Sequence, residues 1–206
     1  MEHAKPRSSH HHGNLKEALV LYALEAAKTG ALDDLSLRKA SRDLGVSPGA
    51  AFRHFEDKDT LMRTVAKRGF DALASDFEAV LPFDSLAASA SEARARFIAL
   101  GQSYVSFARA NYGLWRLMFG PYGLLPGQPL ERHSTYSWLE KSLSELADFA
   151  IIAPADQESR FFVWSAIHGL SDLQASPAVP GEPGKGLVEM HCDFIISALS
   201  PKDQVS

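Results

Sequence analysis

The chain has 206 residues, 46% of them hydrophobic, and a formal net charge of −4. That length and apolar content suit one or two folded domains and exclude a long disordered chain. The negative balance excludes a protein that binds polyanions over its whole surface.

The charge is unevenly placed. Residues 36–68 hold eight basic side chains against four acidic ones, whereas residues 81–206 hold nine basic against thirteen acidic. A basic N-terminal part on an acidic body suits a protein that presents one face to phosphates. Cys192 stands alone, so no intramolecular disulfide is possible and a reducing compartment is expected. No apolar run reaches the length of about 18 residues that would span a membrane. The first residues lack the apolar segment of a secretory signal, and a cytoplasmic location is the expectation.

In chain order, residues 1–13 are polar and predict a flexible arm. Three adjacent histidines there, His10, His11 and His12, cannot readily close on one ion, so no metal is expected. An arm that touches a DNA backbone or minor groove, helped by Lys5 and Arg7, fits better. Asn14 can cap a helix to about Lys28, with Leu15, Leu19, Tyr22, Ala23 and Ala26 on one face and Thr29-Gly30 ending it.

The stretch from Ser36 to Phe55 carries the most information. Ser36 can cap a short helix whose inward positions are Leu37, Ala40 and Leu44. Gly45 follows where a tight turn needs positive φ, and Val46 can plug the space between two helices. Ser47 can cap a second helix with Pro48 in its first turn. Two short helices joined by such a turn predict a helix-turn-helix. Gly49, Ala50 and Ala51 are small enough to let the second helix approach base edges, and Arg53, His54 and Lys58 follow as cations. An ordinary helical corner is the plainer alternative.

A long helix from Lys58 to about Val80 is predicted next, with an apolar face of Leu61, Val65, Leu73 and Phe77. Gly69 sits in its middle, where it either lets a neighbour approach or permits a bend. Leu81-Pro82 ends it and marks a boundary between residues 14–80 and 81–206. Further helices are predicted over about 85–110, 112–118, 130–149, 155–175 and 186–199, separated by Gly and Pro. No strand-like alternation occurs, and the expected class is all-α.

The segment from Leu35 to Leu61, with His11-His12-Gly13-Asn14-Leu15 before it, resembles the TetR family of bacterial transcriptional regulators. Phe52 and Arg53 stand where the family more often has a pair of aromatics, so Arg53 would replace a tyrosine hydroxyl as a phosphate contact. Trp164, His168 and Gly169, with Tyr-Gly-Leu-Trp-Arg-Leu-Met-Phe-Gly at residues 112–120, resemble a subgroup named for a Trp-His-Gly pattern. The resemblance implies a three-helix DNA-binding head (14–80) joined by the long helix to a ligand-binding and dimerisation region (81–206). It also implies a homodimer on an operator in double-stranded DNA, released by a small-molecule effector.

The expected DNA contacts are Ser36, Arg38, Ser47, Gly49, Ala50, Phe52, Arg53, His54 and Lys58. The expected ligand pocket is drawn from Tyr104, Phe107, Trp115, Met118, Phe119, Trp138, Phe161, Trp164 and His168. Each of these aromatics could equally be core, but together they exceed what a plain bundle needs. The last two helices are expected to pair with their copies through Phe162, Ile167, Leu170, Leu173, Phe194, Ile195 and Leu199, unless these complete the monomer core.

No cofactor and no catalysis are expected. Residues 169–173 lack the second glycine of a nucleophile elbow, and residues 181–186 lack P-loop spacing. The rival readings are an all-α small-molecule-binding protein or enzyme with an incidental basic corner, and a module that uses the corner to hold protein.

Overall fold

The computed structural model describes residues 15–32, 34–123, 135–179 and 186–201, and these residues are helical with no strand. The helices are α1 (Leu15–Lys28), α2 (Leu37–Asp43), α3 (Pro48–Phe52), α4 (Lys58–Val80), α5 (Ala90–Ala110), α6 (Tyr112–Met118), α7 (Thr135–Asp148), α8 (Gln157–Ala175) and α9 (Leu187–Leu199).

The caps explain most of these limits. Ser36 is extended and its hydroxyl accepts from the Lys39 N–H at 3.1 Å, which starts α2. Gly45 closes α2 at φ +71°, with its N–H on the Arg42 carbonyl and that of Val46 on the Ser41 carbonyl. These are the two bonds of a left-handed helix stop, which a Cβ would strain. Pro48 occupies the first turn of α3. Asp57 caps α4 through the Thr60 N–H at 2.7 Å, a bond that holds its carboxyl below the usual range.

α1, α2 and α3 pack as a small trihedral unit on the first half of α4. Leu19, Leu37, Ala40, Ala51, Phe55, Leu61 and Val65 are all buried there. α4 is about 35 Å long in all, and its remaining half runs on beside α5, α6 and α7. α5 is the central post of the remaining helices, touching α4, α7, α8 and α9.

α6 wedges between the end of α1 and the middle of α4. A Cβ on Gly113 would lie 1.9 Å from the Ala27 carbonyl oxygen, and one on Gly69 would lie 2.5 Å from Met118 Sδ. Gly69 therefore serves close packing.

The 85–110 helix expected from sequence is shorter at its start. Ser89 is the cap, accepting from the Glu92 N–H at 3.2 Å, while the Glu92 carboxylate reaches back to the Ala88 N–H at 2.9 Å. This Ser-x-x-Glu box fixes the first turn at Ala90. It leaves Ser85 in a non-helical link, whose carbonyl accepts from Arg96 and Lys141. Asp156 caps α8 in the same way, two residues later than the sequence reading placed the start. The expected arm over residues 1–13 and the beginning of the 130–149 helix lie outside the described residues.

Candidate nucleic-acid interface and cavity

The α2–α3 corner presents one outward face. Ser47, Gly49, Phe52, Arg53 and His54 are exposed, Ala50 is half-buried, and Ala51 turns inward under them. Arg38 projects from the exposed side of α2. Arg38, Arg53 and His54 make no ion pair among the described residues, so their donors are unspent. Ser47 begins α3 without its hydroxyl bonding the helix, which leaves that oxygen available too.

Two expected contacts are already engaged. The Ser36 hydroxyl caps α2, although the residue stays exposed. The Lys58 ammonium donates to the Leu32 carbonyl at 2.8 Å and is half-buried. Lys58 therefore ties the start of α4 to the α1–α2 link, with part of its donor capacity spent inside the protein.

On the other side of α4 lies a cavity of about 1490 Å³. Several elements make its wall. Arg63, Lys67, Phe70, Ala74 and Phe77 come from α4, and Phe97, Leu100 and Tyr104 from α5. Phe119 and Tyr122 follow α6, and Tyr136 and Leu139 lie on α7. α8 contributes Phe161, Phe162 and Trp164.

Of the expected pocket residues, Tyr104, Phe119, Phe161 and Trp164 line this space. Phe107, Trp115, Met118 and Trp138 do not; each is buried against its neighbours. Trp138 donates its indole N–H to the Leu81 carbonyl at 3.0 Å and packs on Phe77 and Phe83, which pins the end of α4. Trp115 stacks on His168 at 4.9 Å and packs on Phe119 at 4.5 Å, which makes it the backing of the wall. Three-dimensional packing selects these faces; residue type alone does not.

His168 sits one layer behind the wall. Trp164 donates its indole N–H to the Tyr104 hydroxyl at 3.2 Å, and that hydroxyl lies 3.0 Å from His168 Nδ1. The direction of that second bond follows the imidazole tautomer, since a phenol oxygen that accepts from the indole can still either donate to Nδ1 or accept from it. Burial pushes the His168 pKa down, with Asp172 opposing, and burial likewise raises that of Tyr104. The Tyr104 hydroxyl, the Trp164 indole N–H and His168 Nδ1 thus pair with one another, and burial favours the neutral forms of the phenol and the imidazole. Cys192, also on the wall, is pushed up to about 12 by burial and is inert as a nucleophile.

The residues expected at an interface between copies divide in two. Ile167 and Ile195 turn inward to the cavity wall, Leu170 joins the core, and Leu199 packs half-buried on α9's inner side. Phe162, Leu173 and Phe194 are exposed, with Phe194 at 64% and Leu173 at 59%. Met190, which sequence reasoning did not include, joins them on the outer face of α9 at 46% exposure. An outward register of α9 with period 3.6 links Met190 and Phe194 and was the available signal.

Solved structures share this arrangement. A protein of unknown function from Rhodococcus sp. RHA1 is 29% identical with a TM-score of 0.77, the match covering 95% of this chain and 100% of that one. A regulatory protein in the tetR family from Rhodococcus RHA1 is 17% identical with a TM-score of 0.63, over 91% of this chain and 98% of that one. A TetR family transcriptional regulator from Thermus thermophilus is 15% identical with a TM-score of 0.57, over 89% and 99%. No protein-family model and no curated protein matches the chain. The fold is that of TetR-family regulators. No helix among the described residues is long and apolar enough to cross a membrane.

Proposed function

We propose that this chain is a TetR-family, sequence-specific DNA-binding regulator, acting as a cytoplasmic homodimer that represses from a near-palindromic operator and is released by a small-molecule effector. The observation that carries the reading is the α2–α3 corner. Its turn glycine, N-terminal proline and buried Ala51 leave Gly49, Phe52, Arg53 and His54 facing outward, with no ion-pair partner for the two basic side chains among the described residues. A helix with small residues first and an arginine at its end can approach a major groove and place a guanidinium on guanine or phosphate.

Residues 14–80 form the DNA head and 81–206 the ligand-binding and dimerisation region, with α4 as the shared strut. Ser36, Ser47 and Lys58 serve phosphates, while Arg38, Gly49, Ala50, Phe52, Arg53 and His54 face the groove. Two heads read half-sites about 34–36 Å apart, or a multiple of that. The Trp164-His168-Gly169 pattern supports placement in the Trp-His-Gly subgroup.

Release follows from geometry. α4 lines the cavity along one side and carries the head at its start. A ligand that prefers a different tilt of α4 changes the spacing of the heads. Reversing a DNA-competent population from 99:1 takes a preference of roughly 10⁴, or about 5.5 kcal/mol.

The test is gel retardation and footprinting on the duplex upstream of the protein's own gene. Arg53→Ala should weaken binding at least about tenfold, the scale of one good base contact. Wild-type binding should also fall steeply with salt. A protein that stays monomeric and ignores every duplex at low ionic strength rules the reading out.

A further inference from the structure

The cavity carries two cations at the head-proximal end of α4 and aromatic and aliphatic side chains further along α4 and α5, and this asymmetry defines the kind of molecule it takes. Arg63 and Lys67 stand one turn apart on the head-proximal half of α4, and both face the cavity. Lys67 is paired with Asp71 at 3.2 Å. Asp59, one turn before Arg63, is engaged with the Tyr122 hydroxyl. Glu158, the other carboxylate on the wall, belongs to the first turn of α8. Arg63 itself is in no ion pair within 4 Å among the described residues; Asp57 feels its charge from further off, and its guanidinium donors are left for a ligand.

From Arg63 to Phe77 the wall runs about 21 Å along α4 at 1.5 Å per residue. Phe70, Phe77, Phe97, Leu100 and Phe119 line that length. Tyr104 and Trp164, set among them, pair with each other and with His168 Nδ1, while Tyr122, Thr135, Tyr136, Gln157 and Ser165 add polar groups elsewhere on the wall. The volume of about 1490 Å³ also exceeds the roughly 300–1,000 Å³ of common small-molecule sites.

We infer that the cavity binds a long-chain carboxylate, its anionic head on Arg63 and its apolar chain laid along α4 past Phe70 toward Phe77 and Phe97. A guanidinium takes a carboxylate bidentately, and the apolar wall takes methylene groups in proportion to their number. The inference rests on the proposed function only in treating this cavity as the effector site. It assigns what that site recognises and which residue reads the charge.

The experiment titrates the purified full chain with dodecanoate, octanoate and dodecyltrimethylammonium below their aggregation concentrations, following tryptophan fluorescence and calorimetric heat. Dodecanoate should bind more than about tenfold tighter than octanoate, because four methylenes are lost from an apolar wall. It should also bind tighter than the cation of equal chain length. Arg63→Gln, at an exposed position and so expected to fold normally by circular dichroism, should weaken dodecanoate about tenfold or more. The same variant should leave the cationic amphiphile no weaker.

Equal affinity for the two charges, no gain with chain length, or an Arg63→Gln protein that binds dodecanoate as wild type does overturns the assignment. Gel retardation in the same buffers separates the two claims. Arg63-dependent dodecanoate binding without loss of DNA binding keeps this site and sinks effector release. DNA binding with no dodecanoate affinity sinks this site and leaves the DNA-binding reading standing.

Discussion

Single residues here are placed by the chemistry of their immediate neighbours, and His168 shows it most clearly. Its Nδ1 shares a hydrogen bond with the Tyr104 hydroxyl at 3.0 Å, its ring stacks on Trp115 and meets Phe119 edge-on at 4.6 Å, and burial disfavours the charged form. A histidine whose folded pKa is depressed contributes stability that is complete above the ordinary value of about 6.5. That contribution is lost as pH falls through this value toward the folded one, because the unfolded chain takes up the proton first. The melting temperature of the wild-type protein should therefore drop between about pH 7.5 and pH 5 by more than that of His168→Gln. Equal drops would mean that another group carries the dependence. Gly45 and Pro48 were readable at this scale because positive φ and a missing N–H are properties of one residue. The Ser89–Glu92 box was readable too, and missing it is what moved the expected helix start to residue 85.

Between elements, close backbone approaches and one buried ion cluster hold the fold. α6 meets the last turn of α1 at Gly113, where any Cβ runs into the Ala27 carbonyl. Backbone cannot swing aside as a side chain can. Gly113→Ala should thus cost about 1–3 kcal/mol, the range for forced overpacking, measured as a lower urea midpoint. The second device joins the α4–α5 link to α5 and α7. Arg96 makes a two-pronged bond to Glu145 at 2.9 and 3.0 Å and also donates to Ser85, while Lys141 lies 3.2 Å from the same carboxylate. Glu145 is only 3% exposed. Glu145→Gln leaves the largely buried Lys141 without a carboxylate and Arg96 with only the more distant Glu92 at 3.8 Å, and should cost about 3 kcal/mol in denaturant unfolding. A loss under about 1 kcal/mol would show that solvent reaches the cluster and screens it. None of this was legible beforehand: Arg96 and Glu145 are 49 positions apart, and scattered charges look alike in sequence.

At the scale of the molecule, the outward face of α8 and α9 is where the proposed dimer would form. Leu173, Met190 and Phe194, with Phe162, which also lines the cavity, are apolar side chains that a monomer leaves in water, and the small Ser165 and Gly169 lie exposed on α8. Under the proposed dimer, Phe194→Glu places a carboxylate in the centre of that face and its copy nearby. The variant should sediment as a monomer at micromolar concentration and lose most affinity for a two-half-site duplex, with helical content unchanged. A dimer that persists in sedimentation would move the interface elsewhere.

The helical class, the corner from Ser36 to Phe55 and the ends of α4 could all be read from the chain, because caps, turn glycines and a 3.6-residue apolar period act over a few neighbouring positions. Which aromatic faces the cavity and which backs it could not. Trp115 and Trp138 are chemically like Trp164, yet two are packed into the core and one lines open space. Likewise Ile167 and Leu173 share a helix but meet opposite fates, inward wall and outward face. Those choices depend on the rotation of each helix against its neighbours. That rotation is fixed by summed contacts among residues far apart in the chain, which no local pattern records.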